Sequence, residues 1–147
     1  MTTTKEPRID LVKLYIKDLS LQLPEGSAAF RLEWQPELNF EINTQTKQMK
    51  EKDHYEVSIH LKCVNKCKDK TAFVVEVVQA GLFRLEEIKA DLLEHTLATF
   101  CPNILYPFVR ETVADLVVRA GFPQLNLAAV NFEQLYQQSK ADKGTIQ

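Results

Sequence analysis

The spacing of apolar residues along this chain changes once, close to residue 82. Before that point apolar and polar residues alternate, which is typical of β-strands with one buried face. After it apolar residues recur at three- and four-residue spacing, which indicates helices. Because the strands precede the helices instead of alternating with them, we predict an α+β fold: a four-stranded antiparallel sheet with helices packed on one face.

The clearest alternation runs from Phe30 to Asn43, with apolar residues on one parity and polar residues on the other. Pro36 interrupts it, which indicates either an edge strand or a break between a loop and the strand proper. In the first strand the apolar parity shifts by one residue, which predicts a bulge near Asp18. The other predicted strands are Arg8–Leu23, Tyr55–Cys63 and Thr71–Ala80, and the predicted connections are Thr44–Asp53 and Asn65–Lys70.

The predicted fourth strand is apolar on both faces, unlike the two strands before it. Such a strand is either covered on both sides or lies in a contact between subunits. One face carries Phe73, Val75, Val77 and Gln79, and the other carries Ala72, Val74, Glu76 and Val78.

The helical part is predicted to begin with Leu82–Phe100, and Cys101 and Pro102 end or kink this helix. In the helix that follows, Pro107 suits the first turn and Gly121 suits the left-handed conformation that ends a helix. The next loop, residues 122–130, is almost as apolar as a core element, so it is expected to cover or bind something. Asn131 is predicted to cap a last short helix.

Length and charge restrict the class of protein. At 147 residues, residues 1–147 are predicted to form a single domain, with 1–7 and 139–147 as flexible tails. The net charge of −2 gives no electrostatic argument for binding nucleic acid. The sequence has neither a secretory signal nor an apolar run of about 18 residues, so we predict a cytoplasmic protein without direct membrane insertion.

Catalytic and metal-binding patterns are weak. Cys63 and Cys67 have no second ligand pair that would complete a zinc site. Cys101 and His95 can be considered as a thiolate and its base, but a buried thiol and a surface histidine fit the pattern better. We therefore predict no enzymatic activity, no cofactor and no metal.

Six segments have a distinctive composition: YIKDLS at Tyr15–Ser20, EWQPEL at Glu33–Leu38, HYEVSIHL at His54–Leu61, TAFVVEVVQAGLF at Thr71–Phe83, CPNILYPFVRE at Cys101–Glu111 and FPQLNLAAVNF at Phe122–Phe132. They resemble the SecB family of bacterial export chaperones, and the similarity extends from about Tyr15 to Gln137. The resemblance implies an ATP-independent holdase that keeps precursor proteins unfolded and delivers them to the export motor SecA. It also implies a homotetramer, a dimer of dimers with the helices between the sheets.

The resemblance also implies three groups of functional residues. The SecA-binding surface is expected at Asp18, Val74 and Glu76, the oligomer interface at Val75, Val77 and Gln79, and the client-binding groove at Trp34, Phe122, Leu125 and Leu127. Each group also has a purely structural interpretation. The first would be a solvated strand face, the second a buried sheet face, and the third aromatic residues that only close the core.

The sequence departs from the family pattern in three places: Gln22 replaces a frequent acidic residue, Ala129 a frequent proline, and the tail SKADKGTIQ lacks an acidic run. Two other functions stay open. One is a SecB-like chaperone dedicated to a single client such as an antitoxin. The other is a structural assembly protein.

Overall fold

The computed structural model describes the backbone of residues 6–145 and the side chains as far as residue 141. Four strands form one antiparallel sheet in the order β1-β4-β3-β2: β1 Arg8–Gln22, β2 Pro36–Gln48, β3 His54–Cys67 and β4 Lys70–Glu86. A 3₁₀ helix, Gly26–Arg31, connects β1 to β2. The helical part comprises α1 Ala90–His95, a π-helical segment Thr96–Phe100, α2 Cys101–Arg119 and α3 Phe132–Thr145. The predicted α+β architecture is confirmed.

The second strand differs from its prediction at both ends. It begins at Pro36 and not at Phe30, because Phe30 lies in the 3₁₀ helix and residues 32–35 form an irregular connection. It ends at Gln48, so the first half of the predicted connection Thr44–Asp53 is strand. Polar residues continue the strand because β2 lies at the edge of the sheet and pairs with β3 through its backbone.

The fourth strand is also longer than predicted. It continues to Glu86, through residues that were predicted to be helical, and it is paired on both sides in this region. A central strand with apolar residues on both faces has no clear alternation, and this explains the wrong prediction. β3 likewise continues to Cys67, so the turn before β4 consists of Lys68 and Asp69.

The first strand contains the predicted bulge and a second one. The pairing of β1 with β4 shifts between Ile16 and Asp18, as predicted, and again between Leu11 and Lys13. Beside the first shift, the buried side chain of Gln79 donates its Nε2–H to the backbone oxygen of Tyr15, at 3.0 Å. This bond fixes β1 on β4 where the regular ladder is disturbed.

A side-chain tie crosses the sheet on its outer face, the face opposite the helices. Tyr15 on β1 pairs with the small Ala80 of β4, and its hydroxyl donates to Glu56 Oε2 on β3. Lys17 Nζ lies 2.9 Å from Glu56 Oε1. The hydrogen bond from Tyr15 and the bond from Lys17 lower the pKa of Glu56, and burial followed by the Glu56 bond raises the pKa of Tyr15 to about 12.

The helices do not separate where predicted. Cys101 and Pro102 do not end the first helix, since the chain stays helical through the π segment, where the Cys101 N–H donates to Thr96 O. Pro102 has no N–H for the usual bond and its ring crowds the carbonyl one turn back, which favours this local widening. Pro107 consequently lies inside α2 and not in a first turn.

The core lies between α2 and the two central strands. Leu105, Val109, Val113 and Val117 of α2 are buried at four-residue spacing and belong to one cluster with the helix-facing residues of β3 and β4. A Cβ added at Gly81 of β4 would lie 2.9 Å from Leu105 Cδ2. Glycine at this position therefore lets the helix approach the sheet closely.

The two ends of the loop before α3 follow the predicted capping chemistry. The Gly121 N–H donates to Val118 O at 3.0 Å and the Phe122 N–H donates to Val117 O at 3.1 Å, the pattern of a Schellman motif. Asn131 Oδ1 accepts from the Gln134 N–H at 3.0 Å, which confirms the predicted cap. α3 reaches Thr145 and is longer than predicted.

The flexibility of the two predicted tails, 1–7 and 139–147, stays a prediction. Residues 1–5 and 146–147 lie outside the described part of the chain. Residues 139–145 are helical, as the last part of α3.

We predict that Gly121→Ala lowers the free energy of unfolding by about 2 kcal/mol, since a left-handed residue with a Cβ costs roughly 1–2 kcal/mol. Gly121 has φ +97°, and an added Cβ would lie 2.9 Å from Phe30 Cε1. Gly26→Ala is the matched control, because Gly26 also has a positive φ of +56° but has open space around it. Urea unfolding that shows equal losses for the two variants would contradict a role for the Phe30 contact.

We predict that Tyr15→Phe destabilises the sheet by about 1–2 kcal/mol at neutral pH, as expected for a hydrogen bond to a carboxylate. The pKa of Tyr15 is higher in the folded protein than its ordinary value of 10.0. Its contribution to stability is therefore fully present below pH 10.0 and is lost as the pH rises to about 12. The difference in unfolding free energy between wild type and variant should therefore shrink across that interval. Tyr55→Phe, on the opposite face of the sheet, is the control. A difference that stays constant with pH would refute this account.

Candidate functional site

An aromatic cluster lies where the 3₁₀ helix, β4 and the loop 122–130 meet. The ring of Phe122 is stacked on Phe30 at 5.1 Å and on Trp34 at 5.8 Å, and it is tilted against Phe73 at 5.0 Å, measured between ring centroids. Phe122 is only 6% exposed, whereas Phe30 and Trp34 are 54% and 43% exposed. Phe122 is thus an anchor in the core that holds two aromatic rings at the surface.

An apolar cavity of about 160 Å³ lies between the edge strand β2 and the loop. Its polar side-chain atom, Tyr106 Oη, donates to Ala128 O at 2.6 Å, which also holds the loop in place. Burial raises the pKa of this tyrosine, so its hydroxyl stays a donor at neutral pH. The cavity is lined by Phe40, Ile42, Leu61, Tyr106, Leu127, Ala128, Ala129 and Val130.

The cavity continues along β2 as a groove. A second cavity of about 310 Å³ shares Ile42 with the first, and a third of about 390 Å³ shares Ala98, Tyr136 and Ser139 with the second and reaches Thr46. The groove therefore follows the helix-facing side of β2 from Phe40 to Thr46. The wall opposite β2 is formed by the loop 122–130 at the Phe40 end of the groove, and by the π segment, α1 and α3 towards the Thr46 end.

The four residues predicted for client binding are not equally accessible. Trp34 is exposed, Leu125 is half-buried, and Phe122 and Leu127 are 6% and 3% exposed. Two further exposed aromatic residues, Phe30 and Phe40, were not among the predicted residues; Phe40 is 47% exposed. Phe30, Trp34 and Phe40 all lie at even positions of the alternating segment, where the apolar residues fall. This shared pattern is the feature of the sequence that could have pointed to Phe30 and Phe40.

The three residues predicted for the SecA surface share the outer face of the sheet. Asp18 is exposed and lies opposite Val78, while Val74 and Glu76 are half-buried on the same face of β4. The carboxylate of Glu76 is not isolated. His60 Nε2 lies 3.4 Å from its Oε2 and Lys62 Nζ lies 3.6 Å from its Oε1.

The three residues predicted for assembly lie beneath the helices of the same chain. Val75 and Val77 are fully buried and Gln79 is 3% exposed. They therefore pack inside the protomer, and Gln79 positions β1 through its bond to Tyr15 O.

The thiols are unsuited to nucleophilic chemistry. All three cysteines are buried, and burial raises the pKa of Cys63 to about 11 and that of Cys101 to about 12. His95, the base considered for Cys101, instead bonds to Glu133 of α3 through its Nε2. Among the described residues, no group of three His, Cys, Asp or Glu side chains is placed to hold a metal ion. No helix in the described range is long and apolar enough to cross a membrane.

Comparison with known proteins agrees with this architecture. Residues 2–143 match the family described as Preprotein translocase subunit SecB. The protein-export protein SecB of Pseudomonas savastanoi pv. phaseolicola is 46% identical over 132 residues, which cover 90% of this chain and 81% of that protein. SecB of Psychrobacter arcticus is 41% identical over 135 residues, covering 92% and 90% of the two chains.

Among solved structures, the fold is similar to that of the SecB-like chaperone Rv1957 of Mycobacterium tuberculosis, solved in complex with a ChAD peptide from the HigA1 antitoxin Rv1956. The TM-score is 0.67 at 18% identity, covering 84% of this chain and 88% of the other. This likeness concerns the fold, while the family match and the curated relatives decide membership. The chain belongs to the SecB family of protein-export chaperones.

Proposed function

We propose that this protein is an ATP-independent holdase that binds unfolded precursor proteins in the groove along β2 and delivers them to SecA. The observation that carries the proposal is the exposed apolar surface of that groove, in a member of an export-chaperone family. Burial of apolar side chains is non-directional, so such a surface selects unfolded chains without reading a particular sequence.

The dimensions of the groove suit an extended segment. The seven residues from Phe40 to Thr46 span about 20 Å at the rise of a β-strand, room for about seven residues of an extended client. Phe40 offers a partly exposed aromatic ring in the groove, and Phe30 and Trp34 offer two more in the aromatic cluster outside its lining. Fully burying one large apolar side chain contributes about 1.5–3 kcal/mol, so a single groove binds weakly.

A homotetramer, a dimer of dimers, compensates for that weakness because several grooves then hold one client. The exposed apolar residues of the edge strand β1 support such an assembly, since a helix-facing stripe of this kind is unusual on a monomer. The stripe comprises Leu11, Ile16 and Leu19. In this proposal Val75, Val77 and Gln79 contribute to assembly indirectly, by holding β1 and β4 in position.

SecA is proposed to bind the outer sheet face at Asp18, Val74 and Glu76. Two carboxylates beside an apolar side chain suit the basic, zinc-containing tail of the motor that the family resemblance implies. Opposite charges accelerate encounter and fix the register of such a contact. The groove and this face lie on opposite sides of the sheet, so a client and the motor can be bound together.

The proposed setting is the bacterial cytoplasm, where precursors await export, and the proposed function involves no catalysis and no cofactor. The protonated, buried thiols fit a non-enzymatic role. A chaperone dedicated to one client would capture that client alone, and a purely structural protein would capture no unfolded chain.

We predict that Phe40→Ala weakens the capture of unfolded precursors about three- to tenfold, because it removes an exposed ring from the groove. Light scattering on size-exclusion chromatography with two unrelated, chemically unfolded precursors measures both capture and oligomeric state. Asn39→Ala is the matched control, since Asn39 is also exposed but lies on the opposite face of β2. A threefold change in the dissociation constant corresponds to about 0.7 kcal/mol and is readily measured.

The wild type should form a tetramer and capture both precursors, and the control should behave like it. A wild-type protein that captures neither precursor would refute the chaperone proposal. Equal weakening by both substitutions would remove the groove from client binding, and capture of one precursor only would favour the dedicated chaperone.

A further inference from the structure

Two basic side chains of β3 contact the carboxylate of Glu76 on β4. Lys62 is paired directly with Glu76 across the strands, and its Nζ lies 3.6 Å from Oε1. His60, two residues from Lys62 along β3 and on the same face, places Nε2 3.4 Å from Oε2. Each of the three side chains is between one third and one half exposed, so incoming groups can reach all of them.

Lys62 lies between two acidic positions. On its other side β2 places Glu41 directly opposite Lys62. His60 faces Asn43 of β2 and Val78 of β4, and Glu76 faces Ser20 of β1. Neighbouring strands are about 5 Å apart, so Lys62 is the central cation of an acid–base–acid row across the outer face.

We propose that Lys62, assisted by His60, competes with the cationic partner for Glu76 and so sets the affinity of the outer face. This inference rests on the proposed function, in which a basic segment of SecA binds at Glu76. A lysine or arginine of that segment must displace the Lys62 ammonium from Glu76 or approach it as a like charge. Either event makes the binding of SecA weaker than it would be if Lys62 did not contact Glu76.

The competition also restricts what the partner must offer. With Glu76 partly neutralised, a single positive charge gains little at this exposed site. Val74 and Val78 are half-buried on the same face and flank Glu76. A segment that brings apolar side chains to these valines together with its positive charges is therefore favoured over a polycation that offers charge alone.

The test is a titration of the assembled chaperone with full-length SecA and with a zinc-loaded synthetic peptide of its basic C-terminal segment. We expect Lys62→Gln to bind both about three- to tenfold more tightly than wild type, with a steeper loss of affinity as salt is added. We expect Glu76→Gln to bind more weakly. The double variant Lys62→Gln with Glu76→Gln should gain nothing over Glu76→Gln alone.

Lys13→Gln is the matched control, because it removes one positive charge from the same face at a distance. Lys13 is paired with Leu82, six residues along β4 from Glu76, which is about 20 Å and beyond the screening length of physiological salt. It should leave the affinity within twofold of wild type. Thermal unfolding and light scattering verify that every variant is folded and assembled like the wild type.

The outcomes separate this inference from the proposed function. If wild type binds SecA and Lys62→Gln binds equally or more weakly, the competition is refuted while SecA binding stands. An equal gain in Lys13→Gln, or a gain that persists without Glu76, would also refute it, since bulk charge would then explain the effect. If neither the wild type nor any variant binds SecA, the proposed SecA contact itself is wrong and this inference falls with it.

Discussion

The packing of Phe122 joins three parts of the chain that are far apart in sequence. Its ring contacts Phe73 in the central strand, Phe30 in the 3₁₀ helix and Trp34 in the connection before β2. The Schellman motif at Gly121 turns the chain so that this ring enters the core. Together with the bond from Tyr106 Oη to Ala128 O, this anchor fixes the loop that forms one wall of the groove.

The sheet separates two kinds of chemistry. Its helix-facing side carries the groove, whose most apolar part contains Tyr106 Oη, already bonded to Ala128 O. Its outer side carries charges joined across strands, such as Tyr15 with Glu56 and Lys62 with Glu76. This separation arises because successive side chains in a β-strand point to opposite faces of the sheet. One sheet can therefore present an apolar surface to a client and a charged surface to a second protein.

Alternation in the sequence predicted the α+β fold, the bulge near Asp18 and the two faces of residues 72–79 in β4. It failed at Leu82–Glu86, which is strand, because Leu82 and Leu85 stand at the three-residue spacing of a helix. The alternation also did not predict which aromatic side chains are exposed, because Phe122 and Phe40 are equally apolar and only their packing distinguishes the buried ring from the exposed one. The contact of Lys62 with Glu76 depends on strand register, which periodicity does not specify.

The central claim is that unfolded clients lie in the groove between β2 and the loop. Site-specific photo-cross-linking tests it most directly, with a photoreactive phenylalanine analogue placed singly at Phe40, at Val130 across the groove, or at Glu41 on the opposite face of β2. After incubation with an unfolded precursor and irradiation, the account predicts cross-links from the first two positions and essentially none from Glu41. Equal cross-linking from all three positions, or cross-linking from Glu41 alone, would contradict it.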